Sequence, residues 1–204
     1  MSRKFAALAA GGVAALVGGA VVLTTVMAPA DQFADCRIGQ VAGGQIGGPF
    51  TLVNGEGQTV TDQDVLTDPS LIYFGYTYCP DVCPLDTFRN AEATYILEEQ
   101  GKEITPIFIS VDSERDSPEV VSEFAANMHE RMIGLTGSPE QVRAASQAYK
   151  TYYSRQDSDD EFYLIDHSTL SYLVLPEHGF VEFFRRDLTP DQLADSVACF
   201  LDAA

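Results

Sequence analysis

The sequence has few basic residues. Lysine and arginine number 12 against 30 aspartate and glutamate residues, which gives the 204-residue chain a formal net charge of -18 at pH 7. Nucleic-acid binding needs a basic face that neutralises phosphates, so this composition excludes a nucleic-acid partner. The negative charge also repels an anionic membrane surface, whereas it attracts cations and basic partners.

The chain also lacks internal repeats and a long linker, so its length predicts one domain with an appendage. The appendage is the amino terminus, where 23 uncharged, largely apolar residues (5–27) follow Arg3 and Lys4. A segment of this length can cross a bilayer. The basic flank predicts that the amino terminus lies in the cytoplasm and the domain on the opposite side.

A cleaved signal peptide is the alternative for this segment, because Ala28-Pro29-Ala30 has the small residues that a signal peptidase accepts. We favour a membrane anchor, since the apolar stretch is long for the hydrophobic region of a signal peptide. Either form exports the domain to an oxidising compartment.

Cysteine and histidine are scarce as well, and two of the four cysteines, Cys79 and Cys83, lie four positions apart. The apolar run before them predicts a buried strand over Leu71–Tyr76, and a helix is predicted over Pro84–Gln100, ended by Gly101. Backbone N–H groups and the helix dipole at such a junction lower thiol pKa values and favour the thiolate, which does both metal and redox chemistry. The helix is predicted from apolar residues at helical spacing: Leu85, Phe88, Ala91, Tyr95 and Ile96.

The spacing of the two cysteines favours a metal site. On a regular helical turn their Cβ atoms would lie about 5–6 Å apart, whereas a relaxed disulfide needs about 3.8 Å. Two thiolates on one ion tolerate the wider separation, because each metal–sulfur bond spans about 2.3 Å. A strained, reducible disulfide would be a second state of the pair, and two inert buried cysteines are the remaining alternative.

Of the three histidines, His167 is the best candidate to complete such a site. His129 lies at the polar end of a predicted helix and His178 in a turn between two strands, so both are predicted to be solvated. His167 lies in a short polar break before the strand Leu170–Leu175. There its ring can face a cleft while a carboxylate or carbonyl near Asp166 holds its second nitrogen.

The segment Tyr76–Pro84, Tyr-Thr-Tyr-Cys-Pro-Asp-Val-Cys-Pro, resembles the signature of the Sco (synthesis of cytochrome c oxidase) or SenC family of membrane-anchored, thioredoxin-like copper proteins. The resemblance extends from about Gly47 to Asp202. Three further stretches are similar to motifs of that family: Gly48–Leu52 with Asn54 and Gly57, Ser110–Glu119, and Asp166–Ser168 with Tyr172, Leu173 and Pro176.

The resemblance implies that Cys79, Cys83 and His167 are the ligands of copper, as Cu(I), Cu(II) or both. It implies an α/β fold with a thioredoxin-like mixed sheet flanked by helices, an N-terminal β-hairpin and a single N-terminal membrane helix. The expected divisions are an anchor or signal segment at 1–30, a flexible tether at 31–47 and the copper-binding domain at 48–204. That domain would lie in the periplasm, beside the bacterial inner membrane, or on the equivalent intermembrane-space side.

Two functions remain open. The resemblance implies a copper metallochaperone that delivers copper to the copper-bearing subunit of a respiratory cytochrome c oxidase during assembly, with other copper chaperones or thiol reductases as further partners. The alternative is a thiol-disulfide oxidoreductase that reduces the cysteines of that subunit, which needs Cys79 and Cys83 but not His167. A peroxiredoxin-like peroxidase is a distant third hypothesis, which a lack of peroxide turnover would remove.

The other two cysteines, Cys36 and Cys199, could pair in an oxidising compartment. Closing so large a loop would stabilise the fold by up to about 5 kcal/mol in the chain-entropy model. We expect instead that Cys36 is unpaired in the tether, that Cys199 packs in the last helix, and that copper binding needs neither.

The remaining elements follow from capping and periodicity. A hydroxyl residue before proline predicts helix starts at Ser117-Pro118, Ser138-Pro139 and Thr189-Pro190, and Gln141 and Gln192 supply reciprocal caps. A hairpin is predicted over Phe50–Val60. Further strands are predicted at Ile104–Val111, Ile133–Leu135, Phe162–Ile165 and Phe180–Phe184. The acidic stretch 156–161 is interpreted as a solvated loop or as a dock for a basic partner.

Overall fold

The computed structural model describes residues 31–37, 45–157 and 163–204. The chain divides into two compact units, Met1–Asp35 and Cys36–Ala204. In the first unit, residues 31–35 contain a turn in which the Ala34 amide donates to the Asp31 carbonyl at 3.0 Å. No helix within the described ranges is long and apolar enough to cross a membrane. The predicted anchor at 5–27 and its signal-peptide alternative lie outside those ranges, as does much of the predicted tether.

The second unit alternates strands and helices. The strands are β1 (Thr51–Val53), β2 (Thr59–Thr61), β3 (Ser70–Gly75), β4 (Thr105–Ser110), β5 (Ile133–Leu135), β6 (Tyr153–Arg155), β7 (Ile165–His167), β8 (Ser171–Leu175) and β9 (Gly179–Phe184). The helices are α1 (Asp62–Val65), α2 (Val82–Glu99), α3 (Pro118–Met128), α4 (Pro139–Ala148) and α5 (Pro190–Ala203).

A five-stranded mixed sheet in the order β5-β4-β3-β8-β9 forms the centre of this unit. Strand β3 runs parallel to β4, and β4 to β5, whereas β8 is antiparallel to both β3 and β9. All six residues of β3 are buried, as expected for a central strand covered on both faces. Because β3 and β4 are parallel, the loops after them meet at one edge of the sheet, where open α/β sheets bind ligands.

Two smaller antiparallel pairs, β1–β2 and β6–β7, accompany the main sheet. The three predicted helix starts are confirmed: Ser117, Ser138 and Thr189 each accept a hydrogen bond from a first-turn amide, and the last two form complete capping boxes. Short helices begin at these positions because the hydroxyl satisfies a backbone donor that the helix leaves unpaired.

The apolar residues that predicted α2 do not form its buried face. Leu85, Phe88 and Tyr95 are 59%, 54% and 43% exposed, and of the five only Ala91 is fully buried. The opposite face buries polar residues: Asp86, Thr87, Arg89, Asn90 and Thr94. Most of these side chains can be buried because they find partners; the Arg89 guanidinium, for example, donates to Ser171 Oγ on β8 at 2.9 Å, whereas the buried Thr87 hydroxyl has no hydrogen-bond partner among the described residues.

His167 is the last residue of strand β7, not part of a break between strands. It pairs with Tyr153 of β6, a three-residue strand that the sequence did not predict because it is too short to show a period. The strand predicted from Phe162 begins only at Ile165 in the described residues. Most of the acidic stretch 156–161 lies outside the described ranges.

Candidate metal centre

The two motif cysteines lie at the carboxyl end of β3. Cys79 is in the loop before α2, and Cys83 is the second residue of that helix. The Cys83 amide donates to Cys79 Sγ at 3.4 Å, and both thiols are free. Since the helix begins at Val82, Cys79 lies outside it, and the two cysteines do not lie on one regular helical turn as their spacing predicted.

Gly75, the last residue of β3, leaves room for the buried sulfur. A Cβ atom at this position would lie 3.1 Å from Cys83 Sγ, 2.9 Å from the Tyr73 ring and 3.0 Å from the Phe108 ring. A larger residue would therefore have to displace the thiol or the two rings that pack around it.

The ring of His167 faces the thiols. Its Nε2 lies 3.1 Å from Cys83 Sγ, and its Nδ1 lies 2.9 Å from the Ser168 carbonyl oxygen. A carbonyl can only accept, so Nδ1 carries the proton and Nε2 keeps a lone pair directed at the sulfur. The carbonyl expected near Asp166 is therefore that of Ser168, and it selects the tautomer that ligates a metal through Nε2.

Two tyrosine rings enclose the imidazole. The rings of Tyr73 and Tyr76 meet it edge-on, with centroids 6.1 Å and 5.8 Å from that of His167. The Tyr73 hydroxyl donates to the buried carboxylate of Asp86 at 3.0 Å. Packed aromatic contacts and a satisfied hydroxyl restrict how the histidine can rotate.

The structure brings all three predicted site residues together. Cys79 Sγ, Cys83 Sγ and one ring nitrogen of His167 lie within 4.8 Å of one another. Two ligand atoms bound to one ion at roughly 2.3 Å lie about 4 Å apart, so this separation suits a shared metal with little movement. The donor set of two sulfurs and one imidazole nitrogen is the type that soft transition-metal ions prefer.

The two thiols differ in acidity. Burial raises the pKa of Cys79, but hydrogen bonds from the Asp81 amide and from Cys83 outweigh burial and leave the pKa below its ordinary value. Burial raises the pKa of Cys83 well above its ordinary value, and its neighbour Cys79 raises it further. The predicted lowering is thus wrong for Cys83, since a second thiolate in a buried site is unfavourable. Burial lowers the pKa of His167 and so favours the neutral imidazole, although the hydrogen bond to the Ser168 carbonyl opposes the shift.

A network that the sequence did not predict fastens the β6–β7 pair to the loop after β4. The Tyr163 hydroxyl donates to Asp112 Oδ1 at 2.7 Å, and Arg115 Nε donates to Asp112 Oδ2 at 2.5 Å. The Arg115 guanidinium also lies against the Tyr163 ring. In addition, the Ile165 amide donates to the Tyr76 hydroxyl at 3.3 Å. These contacts hold the strand that carries the histidine beside the cysteine loop.

A second buried carboxylate, Asp116, secures the start of the cysteine loop. It accepts from the Thr77 amide at 2.9 Å and from the hydroxyls of Thr77 and Ser110, both at 2.5 Å. Burial raises the pKa of Asp116, although these hydrogen bonds oppose the shift. The only sequence signal for Asp112, Arg115 and Asp116 was the resemblance of Ser110–Glu119 to a family motif, which assigned them no role.

The other two histidines lie outside the cluster. His129 is buried at the end of α3, where its Nδ1 accepts from the Arg131 amide at 3.1 Å and its ring centroid lies 4.2 Å from that of Tyr95. The expectation of a solvated His129 was wrong, because the side chain caps the turn that follows the helix. His178 is exposed in the turn before β9, as predicted.

Cys36 and Cys199 form a disulfide, with Cα atoms 5.6 Å apart. The expectation that they stay unpaired was wrong, because the fold places Cys36 beside the last helix although 163 positions separate the two. The Arg37 guanidinium donates to the Val181 carbonyl of β9 at 2.7 Å, so the same segment also contacts the sheet.

Comparisons with known proteins agree with this geometry. The family model described as SCO1/SenC matches residues 39–202. Protein SenC of Rhodobacter capsulatus is 54% identical over 205 residues, which span 100% of this chain and 93% of SenC. The crystal structure of Arabidopsis thaliana ScoI with copper bound is 39% identical, with a TM-score of 0.74 over 78% of this chain and 99% of that one.

A second similar structure is that of BsSco, in which a disulfide switch was identified and which is described as a member of the Sco family of cytochrome c oxidase assembly proteins. It is 25% identical, with a TM-score of 0.58, and the match covers 74% of this chain and 91% of BsSco. These matches together show a thioredoxin-like Sco fold, and the chain belongs to the SCO1/SenC family.

Proposed function

We propose that this protein binds copper through Cys79, Cys83 and His167 and delivers it to the copper-bearing subunit of a cytochrome c oxidase during assembly. The observation that carries the proposal is the convergence of two free thiols and an imidazole nitrogen within 4.8 Å. Copper is the cargo in this function, so the site must both hold it and release it.

The donor chemistry suits a carrier. Soft thiolates favour Cu(I), and imidazole suits Cu(I) and Cu(II). Three protein ligands leave coordination positions open, so a recipient's ligand atoms can bind before those of this protein leave. Because Cys83 has a high pKa in the absence of metal, copper binding must displace its proton, and reprotonation favours release.

The relatives support copper and the oxidase as cargo and recipient. ScoI of Arabidopsis thaliana was solved with copper bound, and BsSco belongs to a family of cytochrome c oxidase assembly proteins.

We also propose a membrane anchor or signal segment at residues 1–30, a tether at 31–47 and the copper-binding domain at 48–204. The basic flank and apolar stretch of the amino terminus support export of the domain to the periplasm or an equivalent compartment. The Cys36–Cys199 disulfide supports the same location, since disulfides persist in oxidising compartments.

Thiol-disulfide exchange is the second candidate function. The lowered pKa of Cys79 favours it, because the thiolate is the attacking form. The BsSco disulfide switch shows that a related protein changes its thiol state. In this reaction Cys79 and Cys83 would form a disulfide and lose two electrons and two protons, which reduce one disulfide of the recipient to two thiols.

Copper content and oxidase assembly distinguish the two functions. The reduced protein should bind one copper ion per chain, and Cys79→Ser or Cys83→Ser should abolish Cu(I) binding. His167→Ala should weaken Cu(II) more than Cu(I), because two thiolates can hold Cu(I) alone. His178→Ala, which removes an exposed histidine, is the matched control.

Oxidase assembly in cells carrying each variant completes the test. Copper delivery by the proposed three-ligand site requires that His167→Ala impair assembly as Cys79→Ser does. Normal assembly with His167→Ala, together with its loss in Cys79→Ser, would refute copper delivery and support thiol-disulfide exchange.

A further inference from the structure

We propose that the exposed face of α2 docks the protein that receives copper, and that this recipient presents an apolar patch flanked by lysine or arginine. The proposal rests on the proposed function and specifies the chemistry of its partner. We call this surface the docking face. It consists of Leu85, Phe88, Glu92, Tyr95 and Glu99.

The docking face is one continuous stripe. Its residues follow at intervals of three and four positions, which places them along the same side of an α-helix. Leu85, Phe88 and Tyr95 are each more than two-fifths exposed, although the opposite side of the helix buries Asp86 and Arg89. Large apolar side chains that project from a helix whose polar residues fill the core are typical of an interaction surface.

The position of the stripe indicates what covers it. Leu85 lies two residues after Cys83, in the first turn of the same helix. Copper can pass to a recipient only when the recipient's ligand atoms come within bonding distance of the ion, so some surface beside Cys83 must be covered during transfer. Tyr78, which directly precedes Cys79, is a further large exposed aromatic residue, with 51% of its surface accessible.

The charges on α2 indicate the sign of the partner. The only cation of this helix, Arg89, is buried and donates to Asn90, Ser171 and the Arg185 carbonyl. Glu92 and Glu99 lie on the docking face, and the exposed Asp81 directly precedes the helix, at its N-cap position. An acidic partner would be repelled by this arrangement and by the net charge of -18, whereas a basic one would be attracted.

Binding and transfer are measured separately with the full chain in detergent. The probe is the soluble copper-binding domain of the cytochrome c oxidase subunit from the same organism. Its Kd for the reduced, copper-free chain is measured by calorimetry at low and high salt, and Cu(I) transfer by the change in copper content of each protein. The variants are Leu85→Ser with Phe88→Ser, and Glu92→Lys with Glu99→Lys. Glu123→Lys with Glu130→Lys changes the net charge equally at exposed positions outside α2.

Each pair of substitutions in the docking face should weaken binding at least about tenfold, and high salt should weaken binding of the wild type. The control pair should bind within about twofold of wild type. Copper stoichiometry should not change in any of these variants, because none of the residues is in the metal cluster. Circular dichroism of each variant verifies that it is folded.

Four results would overturn the proposal. One is wild-type affinity in both docking-face variants, and another is no measurable binding of the probe by the wild type. The third is a wild-type dimer that Leu85→Ser with Phe88→Ser dissociates while probe binding persists, which would assign the face to a second copy of this chain. If the face binds the probe but no copper moves, the docking proposal stands and copper delivery fails. The fourth result is normal copper transfer by both docking-face variants, which would leave copper delivery standing and overturn the docking proposal.

Discussion

The guanidinium carbon of Arg115 lies 3.6 Å from the centre of the Tyr163 ring. The guanidinium carbon of Arg155 lies at the same distance from the centre of the Tyr163 ring. Two guanidinium groups can both lie this close to one ring only if they are on its opposite faces. Cation–π contacts of this kind supply about 0.5–2 kcal/mol each, more when they are shielded from water. They join the β6–β7 pair to the loop after β4 and thereby fix the position of His167 relative to the cysteines.

Arg115→Ala should therefore weaken the metal centre without changing a ligand. It also leaves the buried Asp112 carboxylate without its cationic partner, which should lower the free energy of unfolding by about 3 kcal/mol. We expect weaker Cu(II) binding and an altered Cu(II) spectrum, because the histidine is no longer held in place. Chemical denaturation and electron paramagnetic resonance measure the two effects.

Arg115→Lys keeps the charge but not the planar stacking on the tyrosine ring. Compared with Arg115→Ala, it should recover part of the free energy of unfolding, whereas its Cu(II) spectrum should stay further from that of the wild type. Arg143→Ala, at an exposed position of α4, is the control. A wild-type Cu(II) spectrum in Arg115→Ala would show that the network does not position the histidine.

Alkylation should discriminate between the two motif thiols. The pKa of Cys79 is lowered and that of Cys83 is raised, so at any given pH Cys79 has the larger thiolate population. Iodoacetamide followed by mass spectrometry should find Cys79 modified first in the reduced, metal-free protein. Raising the pH should increase modification of Cys79 before that of Cys83.

Cys83→Ala tests the cause of this asymmetry. It removes the side-chain hydrogen bond from Cys83 that lowers the pKa of Cys79, so the pH midpoint for alkylation of Cys79 should rise. The disulfide-bonded cysteines provide the unreactive reference. Equal alkylation rates at the two motif thiols would contradict the prediction.

Gly75→Ala should disturb the metal centre through steric contact. Its Cβ would meet Cys83 Sγ and the rings of Tyr73 and Phe108 at about the distances where neighbours must shift, at a cost of about 1–3 kcal/mol. We expect lower thermal stability and weaker Cu(I) binding, measured by calorimetry and by competition with a Cu(I) chelator.

Gly57→Ala separates the two effects. Its Cβ would meet no atom within 4 Å, but its φ of +75° is unfavourable for alanine, so stability should fall while Cu(I) binding is unchanged. If Gly75→Ala, like Gly57→Ala, lowers stability but leaves Cu(I) binding unchanged, the contact of the added Cβ with Cys83 does not affect the metal site.

Replacing Cys36 and Cys199 with serine should lower stability and leave copper binding intact. The disulfide closes most of the chain, and the chain-entropy model gives a loss of up to about 5 kcal/mol. Denaturant unfolding without reductant measures the loss, and copper stoichiometry verifies the site. A folded double variant that no longer binds copper would show that the proposed ligand set is wrong.

Local chemistry by itself determined much of this protein. The three helix starts follow from Ser117, Ser138 and Thr189 before proline, since a cap depends only on residues within one turn. The buried strand before Cys79 and the helix after Cys83 follow from periodicity and from Gly101, which ends α2 with a φ of +75°. The thiol pair and the candidate histidine were also identifiable, because scarce residue types in distinctive surroundings leave few alternatives.

Features that depend on contacts between residues far apart in the sequence were decided only by the tertiary structure. The buried face of α2 could not be predicted from its apolar pattern, because Arg89 becomes acceptable in the core only when Ser171 on β8 accepts its hydrogen bond. The disulfide joins two cysteines that are 163 positions apart in the sequence and that only the folded chain brings together. The acidity of Cys83 depends chiefly on burial, and the position of His167 depends on the rings of Tyr73 and Tyr76 as well as on the adjacent Ser168 carbonyl. Burial and ring contacts are set by what surrounds an atom in space, so the local sequence does not reveal them.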